Sequence, residues 1–282
     1  MKIIEGSKDL PVIYSAHHAS HNFGGFSERV ALTEEQRIRL SDYGTDITVP
    51  LNGLFTLIAT HSRALGDLNR APNNPTLFQD QDFGRPEKHN IWLSGKQLTE
   101  SEKVYCQEKI HDPYHEKIVD LLIGRDRPTF VVAWDNTAHY LIGKNETGEE
   151  VIMPPVILSN RGREESASPT EGELTSCDPE FMVLLADYLR KELNVRQLPN
   201  EVHLNLVYKG GYICHRYSSL SNQLELGKLG ISAEVQSLQV EYNAAITHDQ
   251  KTLAFDAQKA NLLQTAFSYA MKLAIKNYIK SV

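Results

Sequence analysis

Short apolar runs separated by amphipathic helical patterns constrain the fold of this chain more than any other feature. The runs Val12–Ala16, Phe130–Trp134, Val151–Leu158, Val202–Tyr208 and Leu238–Tyr242 have the length and the β-branched and aromatic content of buried strands. Helical patterns lie between them. Thr33 precedes Glu34-Glu35-Gln36, a helix start with acids in its first turn, and that pattern runs to Asp42. Thr99–Leu122 is a second helical stretch, with a kink expected at Asp112-Pro113, and Pro179–Leu193 is a third. The last, Ala257–Ile279, lines up Leu262, Leu263, Ala266, Phe267, Ala270, Leu273, Ala274 and Tyr278 on one face, as a helix packed on a core does. Strands alternating with helices imply an α/β fold: a three-layer sandwich with a mixed, mostly parallel central sheet and helices on both faces. Ser159–Ser176 and Ala71–Pro86 read as long surface loops. No repeat or clean linker interrupts the chain, so residues 1–282 are expected to form a single domain.

Composition removes several function classes. Apolar residues make up 41% of the chain, enough for a sizeable core, and the net charge is −7 without a basic block or stripe. No nucleic-acid partner is expected from that balance. No run approaches the roughly 18 apolar residues of a membrane span, and the start Met1-Lys2-Ile3-Ile4-Glu5-Gly6 turns polar too early for a signal peptide. Cys106, Cys177 and Cys214 are odd in number and far apart, which argues against a disulfide framework or a cysteine-based zinc site. A cytoplasmic location is the expectation.

The first apolar run ends in Ala16-His17-His18-Ala19-Ser20-His21. Neutral imidazole is the commonest side-chain ligand for zinc-like metals, and α/β proteins build sites where strands spill into loops at the carboxyl edge of the sheet. His18 and His21 stand three apart. The best third ligand is His139 in Trp134-Asp135-Asn136-Thr137-Ala138-His139, which also follows a strand-like run. Such a set leaves a coordination position open for water. The plain alternative is a group of hydrogen-bonding loop histidines. Asp42 is a further candidate, either replacing His21 or orienting a ligand. Strand alternation points His17 away from its neighbour, so it is expected to be a bystander. Asp46 and Asp135 read equally well as helix caps or loop acids, and His111 and His115, one helical turn apart, as surface helix residues, with lining of the pocket as the alternative.

Two further groups complete the inventory. Ser62-Arg63 and Asp67-Leu68-Asn69-Arg70 place two arginines and an asparagine within eight residues. Arginine offers a planar fork that binds carboxylate bidentately, although a solvated turn has the same spacing. In Leu238-Gln239-Val240-Glu241-Tyr242-Asn243, alternation sets Gln239 and Glu241 on one face of a strand. A carboxylate on a buried face is costly unless paired or functional. It is either a base acting on water or a salt-bridged strand residue.

Together these segments resemble the N-formylglutamate amidohydrolase family, itself similar to the zinc carboxypeptidases. Ala16-His17-His18-Ala19-Ser20 resembles the family's Pro-His-Ser-Gly start, with His17 where proline is usual. Asp42-Tyr43-Gly44-Thr45-Asp46 resembles the acidic segment that follows. Ser62-Arg63 with Asp67-Leu68-Asn69-Arg70 matches the most specific signature of the set. Ser176-Cys177-Asp178-Pro179, Lys209-Gly210-Gly211-Tyr212-Ile213 and Leu238-Gln239-Val240-Glu241 resemble later segments.

The resemblance implies one zinc ion held by His18 and His139, with His21 at the position of a carboxylate ligand and Asp42 competing for it. It implies that Arg63 polarises the scissile carbonyl and that Asn69 and Arg70 hold the substrate carboxylate. Arg216 falls near the same substrate end. Glu241 is then the general base that activates a metal-bound water. The implied reaction is hydrolysis of an N-acylated acidic amino acid, N-formylglutamate first, with a small carboxylate-ended peptide as a sibling substrate. A non-catalytic carboxylate sensor on the same fold is the reading from another class. Two departures stand out: Asp135 and His139 are four apart where the family carries Asp-x-His, and Cys214-His215-Arg216 follows Gly-Gly-Tyr-Ile where the family places Arg then His.

Overall fold

A computed structural model describes residues 1–7, 10–51, 54–81, 89–138, 141–144, 150–249 and 251–281. The elements run β1 (Lys2–Ile4), β2 (Val12–Ala16), α1 (Glu34–Leu40), α2 (Thr45–Thr48), β3 (Phe55–Ile58), α3 (Glu100–Cys106), α4 (Asp112–Leu122), β4 (Thr129–Thr137), β5 (Leu141–Lys144), β6 (Glu150–Ile152), β7 (Val156–Ser159), α5 (Pro179–Val195), β8 (Val202–Leu204), α6 (Tyr212–Arg216), α7 (Ser219–Lys228), β9 (Val235–Asn243) and α8 (Ala257–Ser281). Seven strands form one sheet in the order β1-β3-β2-β4-β9-β7-β8, and β5 and β6 form a separate antiparallel pair. The four central strands β3, β2, β4 and β9 are parallel, so their carboxyl ends share one edge. β1 runs antiparallel to β3 and β7 antiparallel to β9. The mixed, mostly parallel sheet with helices on both faces is the expected α/β fold.

Both faces of the sheet are covered. On one, Tyr14, Val132, Trp134, Leu238 and Val240 pack with Phe181, Leu185 and Leu189 of α5 and Leu263, Phe267 and Ala270 of α8. Phe130 stacks on Phe181 with centroids 4.3 Å apart. On the other, Ile13, Val131, Ala133 and Val235 pack with Tyr114, Ile118 and Leu121 of α4, Ile213 of α6 and Leu226 of α7. The residues alternate between the two layers because successive strand side chains point to opposite faces. Helix starts are set locally. Thr33 with Gln36 and Thr99 with Glu102 form reciprocal capping boxes, and Asp178 caps α5 ahead of Pro179.

Several expectations are corrected. The run Val151–Leu158 is two strands, because Met153-Pro154-Pro155 lies between β6 and β7 and proline cannot donate to a ladder. β1 and β3 were not read from the sequence, nor were α6 and α7. Thr99–Leu122 breaks not by a simple proline kink but through a π turn at Gln107–His111, with Pro113 tolerated in the first turn of α4. No helix among the described residues is long and apolar enough to cross a membrane.

Candidate active site

The carboxyl ends of β2, β4 and β9 converge with the loop after β3. β2 ends at Ala16, whose carbonyl accepts from Ala59 N at 3.0 Å, and the chain turns through His17-His18. Asp42 N donates to His18 O at 3.0 Å, which fixes the segment after α1 against that turn. β4 and β9 pair so that Asp135 lies opposite Glu241, both on the face that carries α4. Beyond β3, Ser62 caps the short turn Arg63–Leu65 and delivers Asp67 to the centre.

His18 is the hub of this convergence and is 4% exposed. Its Nε2 lies 2.7 Å from Asp67 Oδ1. Its Nδ1 lies 3.3 Å from Asp42 Oδ2 and 3.3 Å from Asp135 Oδ1. Asp67 is fully buried and saturated. Oδ1 also accepts from Asn69 N at 2.9 Å, and Oδ2 accepts from Arg63 Nη2 at 2.8 Å and Gln79 Nε2 at 3.2 Å. Burial alone would raise its pKa, but the Arg63 and His18 charges with these bonds hold it well below the carboxylate range. For His18, burial and Arg63 push downward, yet the Asp67 charge and the nearby Asp135 and Asp42 carboxyls leave the imidazole well above its ordinary value. Burial lifts Asp42 to about 6.

Glu241 is 5% exposed, and its Oε1 accepts from Gln239 Nε2 at 2.6 Å. Burial first, then the charges of Asp135 and Asp42, raise it well above the carboxylate range. Gln239 Oε1 in turn accepts from Gly211 N at 2.9 Å and Asn69 Nδ2 at 3.4 Å. A Cβ at Gly211 would lie 2.3–2.5 Å from the Asn69 amide, so only glycine allows this approach.

The residues fit a divalent cation. Asp42, Asp67, Asp135 and Glu241 converge here, and the Arg63 guanidinium reaches Asp67 and Asp42. Both Asp135 oxygens are buried, and no described residue gives either an aligned hydrogen-bond donor. Imidazole with carboxylate is a donor set that zinc and related ions take. The 3.3 Å separations around His18 Nδ1 match the spacing, about 3.3 Å, of two donors sharing one tetrahedral ion at about 2.0–2.1 Å. Asp67 on the far nitrogen supplies the carboxylate that orients a ligating histidine.

Of the residues singled out from the sequence, the structure brings His18, Asp42, Arg63, Asn69 and Glu241 into this network. His21 is corrected. Its Nε2 lies 3.3 Å from Glu34 Oε1, with the ring 36% exposed. Residues 19–22 are not helical, so a spacing of three does not return the side chain to the His18 side. His139 lies outside the described residues. Arg63 is committed to Asp67, with Asp42 3.9 Å from Nη1, while its Nε is buried without a partner among the described residues. Asn69 is committed as well, its Oδ1 accepting from Ile213 N at 3.1 Å. Arg70 is half-buried and donates to Asn69 O at 3.2 Å. Arg216 donates to the hydroxyls of Tyr212 and Tyr217 and lies over both rings.

Sequence reasoning missed Asp67, Gln239 and Asp135 as members of the network. It also misplaced His17, His111 and His115, which are buried rather than peripheral. The π turn rotates His111 and His115 inward, with ring centroids 4.5 Å apart. A detectable signal existed for Asp135, an acid at the carboxyl end of a buried parallel strand.

Buried histidine and carboxyls at the carboxyl edge of a mixed sheet suit hydrolysis, and by its family match the chain is an enzyme that hydrolyses a carbon–nitrogen bond other than a peptide bond. A family model for N-formylglutamate amidohydrolase matches residues 10–234, and the chain belongs to that family. Glu241 lies beyond the matched residues. Among solved structures, the N-formylglutamate amidohydrolase of Ralstonia eutropha shares the fold, with 17% identity and a TM-score of 0.67 over 100% of this chain and 98% of that one. A gene product of Agrobacterium tumefaciens is 13% identical, with a TM-score of 0.62 over 98% of this chain and 95% of that one. No curated protein sequence matches the chain.

Proposed function

We propose that the protein hydrolyses the amide of an N-acylated acidic amino acid, N-formylglutamate first, releasing formate and glutamate, with one zinc ion at the His18 centre. The observation that carries this reading is the Glu241 carboxyl, buried beside Asp135 and held with its pKa raised above the ordinary carboxylate range. A carboxyl raised in this way is suited to accept a proton from water and return it to a departing nitrogen. A zinc ion bound at His18, Asp42 and Asp135 supplies Lewis acidity and a nucleophile at neutral pH.

The chain's own groups do the rest. Asp67 fixes the His18 ring and anchors Arg63. Arg63 presents its unpartnered Nε–H, a donor for developing negative charge on the scissile carbonyl. Arg70, which is half-buried, is the guanidinium placed to grip a substrate carboxylate. Arg216, backed by Tyr212 and Tyr217, adds positive charge on the α6 side. Asn69 works through the loop, tying Ile213 and Gln239 to the Arg63–Arg70 segment. The whole chain acts as one catalytic domain, since the sheet takes strands from Lys2 to Asn243 and α8 covers one face. We place it in the cytoplasm, in keeping with its three free, buried cysteines.

The test is formate release from N-formylglutamate by zinc-loaded protein. Activity on acidic N-formyl amino acids above neutral ones supports the reading. Wild-type protein that binds N-formylglutamate yet releases no formate, with or without zinc, overturns it in favour of a sensor.

A further inference from the structure

His17 has no part in the reading above, and the family resemblance puts proline at its position. The structure gives it a specific setting. The ring is 1% exposed and packs on His18 with centroids 4.2 Å apart. Along β2, Ile13 and Ser15 point to the face carrying α4, and His17, in the turn just past the strand, lies on that same face beside Asp135. Ser15 pairs with Ala133, so two residues on His17 falls beside Asp135, which itself pairs with Glu241. His17, Asp135 and Glu241 thus form a row across three parallel strands.

The donors and acceptors in this row do not close on themselves. His17 Nδ1 lies 3.1 Å from the Ser15 carbonyl, which only accepts, so that nitrogen carries a proton. In the neutral ring Nε2 is then a lone pair. It points into the site 3.1 Å from Asp135 Oδ2, buried and, among the described residues, without an aligned hydrogen-bond partner. Among the same residues neither Asp135 oxygen has one either. A nitrogen lone pair held against carboxylate oxygens in a dry site is repulsive unless a cation, a proton or a metal ion, lies between them. The ligating atoms of His17, His18 and Asp135 lie within 4.8 Å of one another.

We propose that His17 is a metal ligand of this enzyme, so that its divalent ion is held by two adjacent imidazoles, His17 Nε2 and His18 Nδ1, together with Asp135 and Asp42. The proposal rests on the reading that a metal occupies the His18 centre. The Ser15 carbonyl fixes the His17 ring as Asp67 fixes that of His18, which is how ligating histidines are oriented. His17 is therefore what distinguishes the metal centre of this chain from one with proline before the ligating histidine.

Metal-free protein, titrated with Zn2+ and separately with Co2+, tests this without reference to turnover. Wild type is expected to take up one equivalent, and His18→Ala to lose it. His17→Ala and the more conservative His17→Gln are expected to weaken zinc binding about 10–100-fold or more and to change the visible absorption of bound Co2+, with the far-ultraviolet circular dichroism of wild type. His17 variants that bind one zinc with unchanged affinity and give the wild-type Co2+ spectrum overturn the role of His17 and leave the metal centre standing. Wild type that binds neither ion overturns the metal centre itself, and this proposal with it. If His17→Ala fails to fold, His17→Gln and the Co2+ spectrum of His17→Pro carry the test, an unchanged spectrum in either counting against the proposal.

Discussion

Asp135 and Glu241 lie directly opposite each other on adjacent parallel strands, two buried carboxyls on one face of the sheet at its carboxyl edge. Two such groups without a cation between them do not both ionise at ordinary pH. Here Asp135 is held low by the neighbouring His17 and His18 against the cost of burial, and Glu241 is pushed up. The pair is thereby split into a permanent anion and a proton carrier.

Glu241→Gln removes the proton carrier while keeping an oxygen that accepts from Gln239. Formate release is expected to fall about 10²–10⁴-fold, with the melting temperature unchanged or raised, because a buried carboxyl is removed. A variant retaining more than a tenth of wild-type kcat at all pH values rules out Glu241 as the acid–base group.

Asp67 is a structural keystone as well as an orienting group. Asp67→Ala strands Arg63, His18 and the Asn69 amide in a buried site. Breaking such an ion pair from one side costs about 3–5 kcal/mol. Urea unfolding is expected to show that loss, and a change below about 1 kcal/mol would mean that Arg63 and His18 find other partners.

The stability of metal-free protein should depend on pH with a definite sign. The folded-state values of Glu241, Asp42 and His18 are all raised, Asp42 to about 6. Their stabilisation is complete below the unfolded values, about 4 for the carboxyls and about 6.5 for histidine, and is lost as pH rises through the folded ones. Asp67 is lowered, so its contribution is present above about 4 and is lost as pH falls through its depressed folded value. His115 is lowered by burial, so its contribution grows as pH rises to about 6.5, and thermal melts in chelator are expected to decline from about pH 7 toward pH 8. A Tm that climbs steadily from pH 5 to 8 contradicts these assignments.

Gly211→Ala forces a Cβ to within 2.3–2.5 Å of the Asn69 amide, which cannot retreat without releasing Ile213 N and Gln239. Overpacking of this kind costs about 1–3 kcal/mol. Loss of activity is expected alongside the stability loss, since Gln239 also holds Glu241. Full activity in the variant would show that this network is slack.

Arg70→Ala removes the guanidinium assigned to the substrate carboxylate. A charged hydrogen bond contributes about 1.5–3 kcal/mol, so KM for N-formylglutamate should rise about 10–150-fold with kcat nearly kept. The preference over uncharged N-formyl amino acids should narrow. An unchanged preference would move recognition to Arg216.

The lesson of the cluster is one of direction rather than identity. Strand alternation points His17 away from His18, yet both residues lie in the turn past β2 with their rings 4.2 Å apart, and His17 rests on the face holding Asp135, Glu241 and α4. That face exists only once β2, β4 and β9 are in register. His21 failed for the complementary reason, since a loop does not repeat every three or four residues. Asn69 and Arg63 look like free substrate contacts in a string of letters, and the fold commits both to neighbours on other elements.

By itself the sequence determined the alternation of buried strands with one-faced helices, and so the layered α/β architecture. It also marked the ends of those strands as the places where histidine, aspartate and glutamate accumulate. Those properties are local, set by side-chain periodicity, capping and turn chemistry along a few residues. Which carboxylates meet His18, which arginine stays available, and which histidine turns inward were decided by tertiary structure alone. They depend on strand order, register and a single π turn, which join residues more than a hundred positions apart through a buried, low-dielectric site where each charge sets the state of the next.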